Sequence, residues 1–339
     1  MRMRLEPEDD LLHPADDDPN FNESRYYNFF TEDRSVGGWC RMGNRPNEGY
    51  AEMTVCLYLP DGQVGFMFGR PPIAGHAAHD AAGLRFEVIE PYREHHVTYD
   101  GRVCVLRDPR EMSDPKAAFT ANPHEPASFD LQFVALAAPF GGEPEYDEGE
   151  DPPPGRVHGF ARGHTEQHMA VRGTVRVGDL AVELGDGLGF RDHSWGPRVW
   201  QSIWWYRWIN ASFGRLGIAF TVRGAEGWEG RHLNGFVYDL DRRPDGTWVP
   251  IRSVDLDSEY DDAAFVVGNR MEVRTDDATY RVQGEIWSDI PLRNRRNGMV
   301  TRITEGVTHW TCGDRLGVGL TEHLDQIVDG TPVGVAAGA

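Results

Sequence analysis

The densest concentration of chemically capable side chains lies in Gly185-Asp-Gly187-Leu-Gly189-Phe-Arg191-Asp192-His193-Ser194-Trp195-Gly196-Pro197-Arg198, where two arginines, acids, an imidazole and an indole sit among glycines. A dinucleotide fingerprint would need a helix directly after the glycines to receive a pyrophosphate, and Trp195-Gly196-Pro197 blocks one. An acid beside aromatic rings has a different use. A carboxyl group desolvated in an apolar pocket has its pKa raised and can serve as a general acid, while aromatic faces stabilise a cation without trapping it. Asp192 is the candidate donor. His193, its neighbour, points to the opposite side in an extended strand and is a candidate partner only through a turn. The plainer reading of Asp192 is a loop-stiffening salt bridge with Arg191 or Arg198.

The aromatic rings follow at once, in Trp200-Gln-Ser-Ile-Trp204-Trp205-Tyr206-Arg207-Trp208. Strand alternation puts Trp204, Tyr206 and Trp208 on one face and Trp205 and Arg207 on the other. The first face is either core filling or a pocket wall, to which Trp195 would add a ring and Arg198 and Arg207 would add groups that orient polar atoms. His164, Glu166 and His168 align on one strand face. A metal is one use of such an array, but it needs further converging ligands, and the same face continues into Arg172 and Arg176, which favours solvent. Glu166 and His168 are therefore expected as pocket residues and no metal is expected. Glu322-His323 closes the last strand; Glu322 is a candidate second acid or base, against the plainer reading of a surface pair.

What must position these groups is sheet. Short alternating runs punctuated by glycine and Asp-Gly dominate, and almost no segment repeats apolar residues at helical spacing. Hairpins are expected over Val171–Leu184 around Gly178-Asp179, Tyr50–Phe68 around Pro60-Asp61-Gly62, Met271–Ile286 around Thr275–Asp277, and Thr301–Leu320 around Gly313-Asp314. The class is all-β, antiparallel, and barrel and sandwich remain open.

At 339 residues the chain favours two domains. The run Gly141–Gly155, rich in acid, proline and glycine, reads as a linker. The expected division is an acidic disordered tail 1–20, a first β domain 21–145, a linker 146–156, a second β domain 157–330 carrying Asp-His-Ser-Trp-Gly, and a flexible tail 331–339. The net charge of −20 opposes binding to nucleic acid or anionic lipid, and much of the acid falls in Glu6–Asp18 and Glu143–Asp151, read as solubilising tails. No apolar run is long enough to cross a membrane and the start lacks the apolar centre of a signal peptide, so a cytoplasmic protein without stable membrane insertion is expected. Cys40, Cys56, Cys104 and Cys312 are widely spaced and read as reduced packing residues.

Gly187-Leu-Gly189-Phe-Arg191-Asp192-His193-Ser194-Trp195-Gly196-Pro197-Arg198 resembles a signature of the carotenoid 1,2-hydratases (hydroxyneurosporene synthases) and their AttH-like relatives. Gly38-Trp39-Cys-Arg-Met-Gly43-Asn-Arg45-Pro46-Asn47-Glu48-Gly49-Tyr50 and Gly319-Leu-Thr-Glu322-His323 look like further blocks of that superfamily. The resemblance implies two lipocalin-like barrels and cofactor-independent chemistry, water addition or cyclisation, on a hydrophobic substrate. A smaller terpenoid or steroid is the better expectation than a bilayer carotenoid. The leading expectation is a hydratase, dehydratase or cyclase in which Asp192 protonates an alkene and Trp195, Trp204, Tyr206 and Trp208 shield the cation. The rival is a non-catalytic carrier of a hydrophobic ligand. Expected partners are a hydrophobic small molecule and no nucleic acid, with a homodimer left open.

Overall fold

The computed structural model describes residues 2–145, 161–227, 230–296, 298–336 and 338. Contacts divide the chain into unit 1, Met1–Asp108 with Lys116–Val199, and unit 2, Pro109–Pro115 with Trp200–Ala339. The architecture is all-β and lipocalin-like.

Unit 1 holds β1 (Arg2–Arg4), β2 (Phe21–Phe30), β3 (Gly37–Arg45), β4 (Tyr50–Tyr58), β5 (Val64–Gly69), β6 (His79–Ala81) and β7 (Leu84–Glu90). It continues through β8 (Glu94–Leu106), β9 (His124–Ala135), β10 (Phe140–Glu145), β11 (Gly163–Val177) and β12 (Leu180–Pro197). Strand β11 pairs with β12, then β12 with β2, β2 with β3, β3 with β4, β4 with β5, β5 with β8, β8 with β9, and β9 back to β11. The antiparallel ladder thus closes into a barrel and leaves this ring no free edge. Alternation supplies its core: Tyr27, Phe29, Met42, Val55, Val97, Leu131, Phe133 and Val171 point inward and are buried. Each fully buried side chain of this size contributes about 1.5–3 kcal/mol before entropy is charged against it.

Unit 2 holds β13 (Trp205–Ser212), β14 (Leu216–Gly224), β15 (His232–Asp239), β16 (Trp248–Pro250) and β17 (Ser253–Tyr260). Then come β18 (Val266–Arg274), β19 (Thr279–Arg296), β20 (Met299–Cys312), β21 (Arg315–Val328) and β22 (Thr331–Pro332). Its ladder runs β16-β15-β14-β13-β21-β20-β19-β18-β17, so the last long strand lies beside the first. Trp205, Ile209, Ile218, Phe220, Val237 and Trp310 belong to its core.

All four expected hairpins form: Val177 faces Leu180, Tyr58 faces Val64, Arg274 faces Thr279 and Cys312 faces Arg315. The positive φ of Gly62, Gly178 and Gly313 explains the glycine in three of those turns. No cysteine is in a disulfide, and Cys40, Cys56 and Cys104 are buried. No helix among the described residues is long and apolar enough to cross a membrane.

The expected division needs four corrections. Residues 146–156 lie outside the described residues, but β11 and β12, which follow them, belong to the first barrel through β9 and β2. The Asp-His-Ser-Trp-Gly segment therefore sits in unit 1, and the boundary falls after Val199. Gly141–Glu145, read as linker, forms β10 against β11 and β1. The tail 1–20 is not a solvated arm: β1 pairs with β10, Pro7–Asp10 forms a 3-10 turn, and Asp9 and Asp10 are buried. Asp9 pairs locally with Arg4, but Asp10 finds Arg191, 181 residues away, which no local charge count can reveal. At the other end, Thr331–Pro332 pairs with β21 and Val333–Ala336 forms a helical turn whose Gly334 N–H donates to Asp325 Oδ1 at 2.7 Å.

Candidate functional site

Strand β12 is extended through the whole Gly187–Pro197 segment, so successive side chains leave by opposite faces. Arg191, His193 and Trp195 enter the barrel; Asp192 and Ser194 leave on its other face. The glycines serve packing rather than a phosphate: a Cβ on Gly189 would stand 2.5 Å from the Asn28 carbonyl oxygen of the neighbouring strand.

Inside the barrel the polar end is organised by two carboxylates. Arg191 donates to Asp10 Oδ1 at 2.8 Å and to Gln167 Oε1 at 2.8 Å, Arg25 donates to Asp10 Oδ1 at 3.3 Å, and His95 Nε2 lies 3.0 Å from Asp10 Oδ2. Tyr27 Oη and His95 Nδ1 are 2.7 Å apart, and the tautomer that fits has Tyr27 donating to Nδ1 and the ring proton facing Asp10. Burial favours the neutral acid at Asp10, but the Arg191 charge, the His95 contact and Arg25 override it and hold the carboxyl far below its usual range. Glu23 is the second hub, with Oε1 2.8 Å from His193 Nε2 and 3.0 Å from His13 Nδ1, and Oε2 2.8 Å from His76 Nε2. Burial again opposes the charge, and the hydrogen bonds of His13, His193 and His76 outweigh it, so Glu23 is also held ionised. Burial, then the Arg25 charge, push His193 down to about 4 and His79 to about 3; burial, then Arg191, take His95 to about 3. These imidazoles are neutral near pH 7.

Outside the barrel the same strands present a second group. Asp192 pairs in register with Glu166 on β11 and Tyr26 on β2, and Tyr26 in turn with Arg41 on β3. His164 Nε2 is 3.4 Å from Asp192 Oδ2 and 4.0 Å from Glu166 Oε1. The side chains of His164 and Asp192 keep 30% and 21% of their surface exposed, unlike the buried interior group. Burial works against the imidazolium of His164, but the hydrogen bond with Asp192 and the charges of Glu166 and Asp192 prevail, so its pKa is raised. Asp192 Oδ1 is buried and meets no hydrogen-bond partner among the described residues. Beside it Tyr26 stacks on Trp39 with centroids 5.8 Å apart, and Trp39 meets Phe66 edge-on at 6.4 Å. Arg198 closes the segment by donating to Ser194 Oγ at 2.6 Å.

Several expected members of the site are redistributed. His193 is inside the barrel on Glu23, so it does not share a face with Asp192. Trp195 is likewise inside, stacked on His13 at 4.1 Å, and cannot wall Asp192; the ring lies where Gly163 has no side chain. Glu166 and His168 are buried, which overturns the solvent-facing reading of their strand face. His164, Glu166 and His168 do not converge on one point either, because His168 packs edge-on against Phe190.

In unit 2, Tyr206 and Trp208 share a face as expected, with Trp205 and Arg207 opposite. Trp204 precedes the strand and packs with the Trp205 core, so it leaves the aromatic wall. Arg207 is buried and bound to Asp325 at 3.2 and 3.3 Å, a structural pair rather than a free orienting group. Tyr206 donates to Glu322, which lies opposite Trp208 on one side and Glu305 on the other. Glu322 and His323 are both buried, not a surface pair, and point to opposite faces. Burial, then the charges of Arg207 and Arg302, push His323 well down.

Sequence reasoning missed Asp10, Glu23, Arg25 and His95 inside, and Tyr26, Trp39, Arg41 and His164's pairing with Asp192 outside. Period-two alternation applied to Phe21–Phe30 would have exposed Glu23-x-Arg25-x-Tyr27 on one face and Tyr26 on the other. The long-range partner Asp10 carried no local signal.

Residues 6–327 match the family described as a domain of unknown function, DUF7064, and the chain belongs to it. No curated protein matches in sequence. Among solved structures the fold is similar to CghA, seen in complex with Sch210972 (15% identity, 91% of this chain and 89% of that one, TM-score 0.55). It is also similar to a protein described as a putative AttH from Nitrosomonas europaea (14%, 91% and 96%, 0.54) and to kievitone hydratase from Nectria haematococca (8%, 89% and 88%, 0.50). At these identities the likeness is one of fold.

Proposed function

Taking membership of this family as the premise, we propose that the chain is an enzyme that adds, removes or redirects a proton on a hydrophobic small molecule, as a hydratase, dehydratase or cyclase, with the outer pair Asp192–His164 as its acid–base centre. One observation carries the reading: Asp192 and His164 are hydrogen-bonded, remain partly open, and stand next to the Tyr26–Trp39 stack. An imidazolium held against a carboxylate delivers a proton, and the carboxylate takes one back, without any bound group. Asp192 keeps the role expected of it, with His164 rather than His193 as its partner. The aromatic faces of Tyr26 and Trp39 replace those of Trp195 and Trp204 as the surface for an electron-poor carbon. Tyr206, Glu322 and Trp208 form a second acid-and-aromatic group in unit 2, with Glu322 as a second candidate acid or base.

The fold shared with kievitone hydratase and with CghA, which holds Sch210972, supports hydration or cyclisation as the reaction type. A terpenoid or steroid alkene conjugated to a carbonyl suits this centre, because protonating a carbonyl oxygen needs a far weaker acid than protonating an isolated alkene. Incubation with such alkenes in deuterated water tests the reading. Solvent deuterium fixed on carbon by the native chain and not by Asp192→Asn supports it. Binding with no label in either supports the carrier reading instead.

A further inference from the structure

The interior hub at Glu23 has the composition of a metal site. His13 comes from the amino-terminal segment, Glu23 from β2 and His193 from β12, and one ligand atom from each lies within 4.8 Å of the other two. We propose that His13 Nδ1, Glu23 Oε1 and His193 Nε2 bind a divalent transition ion of the zinc type, with water in the fourth position. Two imidazoles and one carboxylate are a donor set that zinc takes in tetrahedral geometry. Oε1 stands 3.0 Å from His13 Nδ1 and 2.8 Å from His193 Nε2. Donors around a tetrahedral ion with bonds of about 2.0–2.1 Å are about 3.3 Å apart, so these two separations need to widen by about 0.3 and 0.5 Å.

The surroundings sort ligands from supports. His13 Nε2, the nitrogen facing away, lies 3.5 Å from Asp9 Oδ1, the carboxylate–histidine contact that fixes a metal-bound ring. His76 is a support: the Asn44 amide approaches its Nδ1 at 3.3 Å and that amide also donates to the Ala78 carbonyl at 2.8 Å, so His76 carries its proton on Nε2 and donates it to Glu23 Oε2. The His13 backbone N–H donates to both oxygens, to Oε2 at 2.9 Å and to Oε1 at 3.2 Å. Oε2 thus carries the shorter of these bonds and that of His76, and Oε1, which faces both ligand rings, is the oxygen aimed at the ion. Arg25, on the same strand face as Glu23, is engaged by Asp10. Trp195 stacked on His13 shields the site. An ion here would clasp the acidic amino-terminal segment to two strands of the barrel, on the face of β12 opposite Asp192, and the inference stands without the acid–base proposal.

Full-length protein stripped with a chelator and titrated with Co2+, then Zn2+, tests it. The expected result is one Co2+ per chain with the intense visible absorption of a tetrahedral ion, displaced by Zn2+. Affinity should fall at least about 100-fold in His13→Ala and about 10- to 100-fold in Asp9→Asn, and stay unchanged in His164→Gln. Far-ultraviolet circular dichroism confirms that each variant is folded, and His13→Gln replaces His13→Ala if that chain does not fold. No stoichiometric Co2+ in the native chain, equal binding in the folded His13 variant, or loss of binding in His164→Gln would each overturn the assignment.

Discussion

The two faces of β12 differ in every property that separates a brace from a reactive site. On the inner face Arg191 and His193 are buried and tied to Asp10 and Glu23, residues of the opening segment and of β2. On the outer face Asp192 and His164 are partly exposed, joined by one longer contact, and Asp192 keeps an oxygen with no hydrogen-bond partner among the described residues. A run of adjacent charged residues in a strand is thus two sites back to back, and adjacency in sequence is the reason they are apart in space.

The largest effect that sharpens this contrast is on stability. Arg191→Met leaves Asp10 short of its strongest partner in a buried setting and should cost about 3–5 kcal/mol in denaturant unfolding, because a buried charge stripped of its partner is not rehydrated. A loss below about 1 kcal/mol would show that the interior network is not a brace. Asp192→Asn should do the opposite, lowering turnover by about 10²- to 10⁴-fold while unfolding shifts by no more than about 0.5 kcal/mol.

The pH dependence of stability should carry opposite signs on the two faces. His79, His95 and His193 have depressed folded pKa values, so below about 6.5 the unfolded chain binds protons that the native chain refuses. Stability therefore declines as pH falls from about 6.5 towards 4, by up to about 1.4 kcal/mol per unit for each histidine. Asp10 and Glu23, depressed below their ordinary range, contribute stability that is present above about pH 4 and lost on further acidification. His164, whose pKa is raised, contributes stability that is present below about 6.5 and lost as pH rises through its folded value. Unfolding midpoints across pH in native, His193→Gln and His164→Gln chains check the sign: the first substitution should flatten the acid limb and the second the limb above neutrality. The smallest effect belongs to Trp39→Phe, which keeps a ring against Tyr26 and should weaken ligand affinity only several-fold with turnover nearly intact, read by ligand titration.

The class of fold and each of the four hairpins were legible because turn chemistry and alternation are local signals. The domain boundary was not, since the acid, proline and glycine around Gly141–Glu145 look like linker while the backbone still pairs with β11. The site was half legible. Asp192 and its motif stood out by composition, and alternation correctly set His193 on the other side. Trp195 and Trp204 were assigned to the wrong surroundings, the first by ignoring that same alternation and the second because the strand begins one residue later, at Trp205. Asp10 was hidden in a run of acids with no local signal to single it out, and its partner Arg191 lies 181 residues away.

The proposed division of labour is an outer face that reacts and an inner face that holds. Solvent deuterium incorporation into a carbonyl-conjugated alkene, measured per folded molecule in Asp192→Asn and His193→Gln side by side, tests it most directly. No label is expected from folded Asp192→Asn, and near-native label from the folded fraction of a destabilised His193→Gln. Native labelling by Asp192→Asn together with none from folded His193→Gln would contradict it and move the chemistry inside the barrel.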